Sequence, residues 1–329
     1  MAMFDFPLDK LREYRPEVAA PADLVDFWRR SIEKARTDDL SATFTPIDNK
    51  LAVIDTYDVT YAGFDGSPVK GWLHVPAGAT GPLPTVVQYH GYSGGRGIPH
   101  ATTLWAQAGY AHFVTDTRGQ GWTAGGSSTP DDSPYAGLNH TPGFLTAGIT
   151  DPETYYYRRV FIDGVRALDA ARTSPLVDPG KLVVAGVSQG GGIAIAAAGL
   201  APIAGIELLG CAPDVPFLCH FQRALQITDH GRYNEITQYL KGFRHHADAA
   251  LNTLGYFDGV NLGRLATAPA LFSVALMDAT CPPSTVFAAF NHYGSDQKEI
   301  EVYPYNEHEG GQTYQQLAQL DWFANIFRK

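Results

Sequence analysis

Lys181–Leu200 reads KLVVAGVSQGGGIAIAAAGL. Leu182, Val183, Val184 and Ala185 form a short apolar run, the pattern of a strand buried on both faces. Gly186-Val187-Ser188-Gln189-Gly190 follows, and Ile193 to Leu200 is apolar and Ala-rich, as suits a buried helix. Gly-x-Ser-x-Gly thus falls where a strand is expected to turn sharply into a helix, the context that gives the motif meaning. So tight a bend leaves no room for side chains at Gly186 and Gly190. It lifts the Ser188 hydroxyl clear of the sheet, at a helix N-terminus where unpaired N–H groups favour negative charge. Ser188 is therefore a candidate nucleophile. The plainer reading of the motif is an ordinary tight turn.

A chain of 329 residues can bury a large core, and 45% hydrophobic with 18% charged residues is the composition of a soluble globular protein. A net charge of −10 and a pI near 5.5 argue against nucleic acid or an anionic membrane as partner. No apolar run reaches the roughly 18–20 residues of a membrane span. The first residues, MAMFDFPLDKLREY, lack a basic n-region and an apolar h-region, so no secretory leader is expected. Cys211, Cys219 and Cys281 are an odd, sparse set that fits a reducing compartment. Asn139-His140-Thr141 matches a glycosylation acceptor, incidental without a leader.

Residues 1–50 read as an N-terminal extension, in which Leu24, Phe27, Trp28, Ile32 and Ala35 recur at helical spacing after Pro21. Tyr57–Tyr61 and Val69–Val75 flank Phe64-Asp65-Gly66, a hairpin signal. Strands are expected at Thr85–Tyr89, Ala111–Thr115, 182–185, Gly205–Leu209, Leu271–Met277 and Glu299–Tyr303. Helices are expected around Thr102–Ala108, Arg158–Arg172 and Gln312–Phe327, the last with Leu317, Leu320, Ala324 and Phe327 inward. Residues 121–153 show little periodicity, and a loop that long is usually functional. Alternating strands and helices mean a mostly parallel twisted sheet with helices on both faces. The helical, aromatic-rich stretch at about 211–265 exceeds a simple crossover and reads as a cap inserted over the strand ends. No repeat or linker divides the chain, so residues 1–329 are taken as one elaborated α/β domain.

A serine hydroxyl needs a base to take its proton and a third group to orient that base. On a parallel sheet these groups gather at the C-terminal strand ends. Asp278 directly follows one expected strand, and His308 lies five residues past the last. The order Ser188, Asp278, His308 is that of α/β-hydrolases. Asp214 also follows a strand and stands as an alternative orienting acid. The plain reading of Asp278 is a turn or helix cap, and of His308 a surface loop histidine. Oxyanion donors are expected from the backbone N–H of Gln189 and, in the loop after Thr85–Tyr89, of Tyr92. His245-His246-Ala247-Asp248 resembles a metal pair, but adjacent histidines point apart on a helix. Tyr155-Tyr156-Tyr157-Arg158-Arg159 reads as a helix start packing its rings against the long loop. Gly190-Gly191-Gly192 lacks the Lys-Ser/Thr of a phosphate loop.

Several motifs converge. They are His90-Gly91-Tyr92-x-Gly94-Gly95-Arg96-Gly97, Asp116-Thr117-Arg118-Gly119-Gln120-Gly121, and Pro142-Gly143-Phe144 followed by Tyr155 to Phe161. Gly186-x-Ser188-Gln189-Gly190, Asp214 to Cys219, Asp278 with Cys281-Pro282-Pro283, and His308-Glu309-Gly310-Gly311 join them. Together they resemble the acetyl xylan esterase/cephalosporin C deacetylase family, carbohydrate esterase family seven, over nearly the whole chain. The resemblance implies an α/β-hydrolase fold and a Ser188–His308–Asp278 triad, with Asp278 preferred over Asp214. It implies an oxyanion hole from the Tyr92 and Gln189 amides, with Arg118 and Gln120 supporting the elbow. It further implies removal of acetyl groups from short xylo-oligosaccharides, other small acetyl esters and cephalosporins. Neither metal nor cofactor is implied, and the expected protein is a cytoplasmic homohexamer. Ser93 and Glu307 stand where Asn is expected, and Ala147 where Arg is expected, which bears on substrate preference and on one local salt bridge.

Three other readings are compatible with these motifs. A prolyl-oligopeptidase-type serine peptidase has this triad order but usually a propeller, which about 80 residues ahead of the first core strand cannot build. A catalytically dead hydrolase used as a binding module would lack the nucleophile or the base. An acyltransferase would share the acetyl-enzyme and differ only in its acceptor.

Overall fold

The computed structural model describes residues 3–125, 129–132 and 143–328. The Asn139-His140-Thr141 acceptor and Pro142 lie outside them. In chain order the helices are α1 Leu8–Glu13, α2 Leu24–Ala35, α3 Leu104–Gln107, α4 Tyr156–Ala171, α5 Gln189–Leu200, α6 Phe221–Ile227, α7 Tyr233–Gly242, α8 Ala247–Phe257, α9 Gly259–Gly263, α10 Pro283–His292 and α11 Gln312–Ile326. The strands are β1 Thr43–Ile47, β2 Ile54–Ala62, β3 Pro68–Pro76, β4 Leu83–Tyr89, β5 Ala111–Thr115, β6 Val177–Val187, β7 Gly210–Asp214, β8 Ala270–Ala275 and β9 Lys298–Tyr303.

They form one sheet in the order β1-β2-β3-β5-β4-β6-β7-β8-β9. The run from β5 to β9 is parallel, and β1, β2 and β3 add an antiparallel flank. The hairpin signal is realised: Asp65 and Gly66 take φ of 50° and 71° between β2 and β3. Every residue of α5 is buried, as expected of a helix that is apolar all round. Its glycines permit that depth, since a Cβ at Gly199 would stand 2.1 Å from the Leu262 carbonyl oxygen of α9. In α2 the five spaced apolar residues all face inward, and the Trp28 Nε1–H donates to the Tyr256 carbonyl at 3.0 Å.

Four expectations need correction. The extension contains a strand, β1, paired with β2 through Thr43↔Thr60 to Ile47↔Thr56. The strand expected at Gly205–Leu209 lies at Gly210–Asp214, so the inserted helices begin after Asp214 and not at 211. Pro213 masked it, because proline is unusual in a central strand. The helix expected at Thr102–Ala108 is a single turn, α3. At α11 the expected Phe327 is buried and Leu320 packs half-buried beside it, but Leu317 is 57% exposed and the buried face is made by Gln315, Gln319, Phe323 and Ile326. The buried glutamines inverted the polarity that sets the apparent face; the Gln315 carbonyl, for instance, accepts from the Tyr303 hydroxyl at 2.8 Å.

His74 and His112 are neighbours in register on β3 and β5, with ring centroids 5.9 Å apart, and His90 follows β4. Among the described residues His74 Nε2, His90 Nε2 and His112 Nδ1 are buried without a hydrogen-bond partner. Burial holds His74 and His90 down at about 4 and His112 well below its ordinary value. Such rings stay neutral in the folded chain while the unfolded chain takes up protons below about 6.5. Stability therefore falls as pH descends from about 6.5 towards 4. Asp214 and Asp258, both pushed up to about 6 by burial, act in the opposite direction over that window but are fewer. Urea titrations across this range should show a positive slope of stability against pH. In His74→Gln that slope should be shallower by up to about 1.4 kcal/mol per pH unit; an unchanged slope would remove His74 from the linkage.

Candidate active site

The elbow is as tight as its glycines require. A Cβ at Gly186 would lie 2.4 Å from the Gly190 carbonyl, and one at Gly190 would lie 2.3 Å from the Tyr89 oxygen. Between them Ser188 sits at φ 59°, ψ −119°, directly ahead of α5. Few L-residues adopt such a backbone, and it persists only where the surroundings enforce it. Here the Ser188 N–H donates to the Asp214 carbonyl and the Phe217 N–H to the Ser188 carbonyl, both at 2.9 Å.

The other two expected side chains reach the same place. The loop after β8 carries Asp278 and the loop after β9 carries His308. The two are tied together by the Leu276 N–H on the Tyr303 carbonyl at 2.9 Å and the Met277 N–H on the Asn306 carbonyl at 3.1 Å. Ser188 Oγ is 3.0 Å from His308 Nε2, and His308 Nδ1 is 2.9 Å from Asp278 Oδ2. A carboxylate only accepts, so the Nδ1–H donates to Asp278 and Nε2 is left to accept from the serine hydroxyl. Asp278 is fully buried, and its other oxygen accepts from the Thr280 and Cys281 N–H groups at 2.7 and 2.9 Å. Asp214, the alternative acid, instead accepts from the Ser273 hydroxyl. Asp278, Cys281 and His308 place potential metal-binding atoms within 4.8 Å of one another. Both imidazole nitrogens of that group are already committed, to Ser188 and Asp278, which accounts for the closeness.

Neither the Tyr92 nor the Gln189 N–H makes a hydrogen bond among the described residues, so both donors remain open. Gly91 beside Tyr92 approaches the elbow, where its Cβ would stand 3.5 Å from the Val187 oxygen. A cavity of about 240 Å³ opens over Ser188 and is lined by Gly91, Tyr92, Phe217, Gly231, Arg232, Thr280 and His308. It suits a small ester with its carbonyl over the serine.

Behind the elbow lies a buried polar layer. The Gln120 amide donates to Gln189 Oε1 and to the Tyr156 hydroxyl, both at 3.0 Å, and its oxygen accepts from the Ser93 N–H at 2.7 Å. The Tyr157 hydroxyl donates to Gln189 Oε1 at 2.8 Å. Gln120 thus joins the Tyr92 loop to the residue after Ser188. Arg118 sits one step farther back, bidentate on Asp163 at 2.6 and 2.8 Å, beside an Asp131 that also pairs with Arg159. All three tyrosines of Tyr155–Tyr157 are fully buried, the role expected of their rings. The His245–His246 pair takes no part: His246 stacks on Phe243 at 5.4 Å and meets the Tyr239 hydroxyl. Ser93 bonds the Thr123 hydroxyl, Glu307 is exposed, and Ala147 packs in the core with its carbonyl accepting from the Tyr156 N–H.

Glu235 of α7 and Arg232 in the turn before it join the site without having been expected there. Glu235 is buried and accepts from the Tyr92 hydroxyl at 2.9 Å and from the Leu145 N–H at 3.0 Å. Arg232 lies over the Tyr92 ring, 4.6 Å from its centroid. Gly143, at φ 120°, makes room for Glu235: a Cβ there would stand 2.1 Å from the Glu235 carboxylate.

The acetyl xylan esterase (AXE1) family matches residues 1–326. The chain belongs to that family. An acetyl xylan esterase from Paenibacillus sp. R4 superposes with a TM-score of 0.91 at 38% identity, covering 97% of this chain and 99% of that one. Acetyl xylan esterase 1 from a Thermoanaerobacterium species gives 0.89 at 30% identity, covering 98% and 100%. An acetyl esterase of Xylanibacter ruminicola is 26% identical over 297 residues, 89% of this chain and 65% of that protein's length. The fold is that of the α/β-hydrolases. Among the described residues no helix is long and apolar enough to cross a membrane.

The Tyr92 hydroxyl also accepts from the Phe144 N–H at 2.7 Å, so it is bonded on both sides. Tyr92→Phe should lower unfolding free energy by about 1–3 kcal/mol, the usual cost of stranding buried polar partners. It should also lower turnover of a small aryl acetate by slackening the Tyr92 N–H. Urea midpoints and kcat measured together check this; wild-type values for both would refute it.

Proposed function

We propose that this protein is a serine acetyl esterase that deacetylates short xylo-oligosaccharides and other small acetyl esters, cephalosporin C among them. The observation that carries the reading is the unbroken chain Ser188 Oγ, His308 Nε2, His308 Nδ1, Asp278 Oδ2, with contacts of 3.0 and 2.9 Å. Ser188 attacks the acetyl carbonyl carbon while His308 takes the hydroxyl proton. The oxyanion that forms is received by the open Tyr92 and Gln189 N–H groups, each such donor contributing about 3–4 kcal/mol to the barrier reduction. His308 passes the proton to the departing alkoxide as the tetrahedral intermediate collapses to an acetyl-enzyme. Water then enters, loses a proton to His308 and attacks the acetyl carbon; the bond to Ser188 Oγ breaks, Oγ takes the proton back from His308, and acetate is released. Asp278 holds the imidazole tautomer throughout. The chemistry needs neither metal nor organic cofactor. Water as acceptor, in preference to another alcohol, is part of the proposal.

The same reading makes the protein a cytoplasmic homohexamer. Three free buried cysteines fit a reducing compartment. The exposed Tyr305, Tyr314 and Leu317 offer apolar surface for self-association.

Acetate release from acetylated xylo-oligosaccharides, cephalosporin C and a small aryl acetate tests the substrate range. Ser188→Ala should lose activity on all of them by about 10⁶-fold, and Asp278→Asn by about 10⁴-fold. Retained activity in Ser188→Ala would end the acetyl-enzyme mechanism. Hydrolysis of aminoacyl-peptide substrates without acetyl esters would favour the peptidase instead.

A further inference from the structure

Arg232 is the one permanently charged side chain lining the cavity among the described residues. The chain reaches it through Gly231, at φ 65°, where a Cβ would stand 2.8 Å from Thr280 Cγ2. That close passage seats Arg232 at the start of α7, beside the loop that carries Asp278. Its side chain is 49% exposed. The guanidinium carbon lies over the Tyr92 ring, 4.6 Å from its centroid.

Its ion pair with Glu235 is 3.8 Å long, beyond hydrogen-bond reach. The Glu235 oxygens are engaged by the Tyr92 hydroxyl and the Leu145 N–H. Among the described residues the guanidinium donates no hydrogen bond. Tyr92 and Glu235 thus hold the cation in place without using its donors. A guanidinium held over an aromatic ring at a cavity wall, half desolvated and with its N–H donors unused by the described residues, is a receptor for a carboxylate.

An acetyl group is too small to carry such a charge, so the matching anion must belong to the alcohol part of the ester. We propose that Arg232 is a specificity-determining residue that favours acetyl esters whose alcohol portion bears a carboxylate, as in an acetylated sugar acid. The inference rests on the acetyl-esterase reading and adds to it a charge preference. An arginine acting only as a brace for Tyr92 would alter all esters alike.

The test compares 4-acetoxybenzoate with neutral 4-acetoxybenzamide. Their intrinsic reactivities cancel when the ratio of kcat/KM values is compared between wild type and variants. In Arg232→Gln the anionic-to-neutral ratio should fall about 10-fold, mainly through KM, the size of one charge-assisted hydrogen bond at a half-exposed site. The wild-type ratio should fall with added salt and the variant ratio should not. Arg232→Lys, which keeps the charge without the planar fork, should retain part of the preference. An equal change in both esters would overturn the proposal. Binding of 4-hydroxybenzoate against 4-hydroxybenzamide to Ser188→Ala protein, by calorimetry, reads the same preference without turnover. Should the wild type hydrolyse neither ester, the esterase reading fails; stronger binding of the anion, lost in Ser188→Ala/Arg232→Gln, would still uphold the charge preference, and equal binding would end it.

Discussion

The backbone of Ser188 is held where few side-chain-bearing residues can stay, and the rest of the site is arranged around that conformation. Holding a non-glycine residue in such a region costs about 1–3 kcal/mol. Hydrogen bonds from Ser188 to Asp214 and from Phe217 to Ser188 pin it, and the close approach of Gly190 to Tyr89 leaves no slack on the other side. These contacts bring the ends of β4, β6 and β7 together. The Tyr92 loop leaves the first, the serine the second and Asp214 the third. Asp278 and His308 arrive from β8 and β9, the next strands in the sheet. Parallel pairing therefore delivers Ser188, Asp278 and His308 to one edge, and the elbow sets where on that edge they meet.

Polar side chains behind the elbow fix distances that apolar packing would leave loose. Gln120 and Gln189 exchange amide contacts while the Tyr156 and Tyr157 hydroxyls close the remaining valences. Farther back, Arg118, Asp163, Asp131 and Arg159 form an alternating, nearly buried set of charges. A buried pair of this kind adds little net stability, yet removing one partner costs about 3–5 kcal/mol. Its effect is to make one arrangement of the loop at Arg118–Gln120 far better than its neighbours. Because Gln120 receives the Ser93 N–H, that arrangement also sets the position of the adjoining Tyr92.

Features whose cause is local were legible in the chain. The elbow, the Asp65-Gly66 turn and the α2 face each depend on residues within one or two turns of one another. So does the placing of Asp278 and His308 just past apolar strands, although their meeting is a property of the sheet. The pairing of β1 with β2 was hidden because nothing local distinguishes an edge strand in an extension from a loop. Pro213 disguises the strand at Gly210–Asp214, and the polarity of the buried Gln315 and Gln319 disguises part of the α11 face, where of the expected inward residues Phe327 alone is buried. Glu235 and Arg232 carried no signal, since their meaning comes from Tyr92, more than a hundred residues earlier. Gly143 hints at it only once the carboxylate above it is known.

Two buried carboxyl groups lie near the same imidazole, Asp214 at the end of β7 and Asp278 in the loop after β8, and their surroundings differ. Asp278 receives two backbone N–H groups on one oxygen and the imidazole N–H on the other, an environment made for a full negative charge. Asp214 receives the hydroxyl of Ser273, whose oxygen in turn accepts from the Val215 N–H at 3.0 Å. With weaker donors, burial dominates and pushes Asp214 up to about 6. Proximity to the negative Asp278 raises it further, while His308 pulls the other way. Three N–H donors meet Asp278 and one hydroxyl meets Asp214, so the better solvated carboxylate of the two is the one in direct contact with His308.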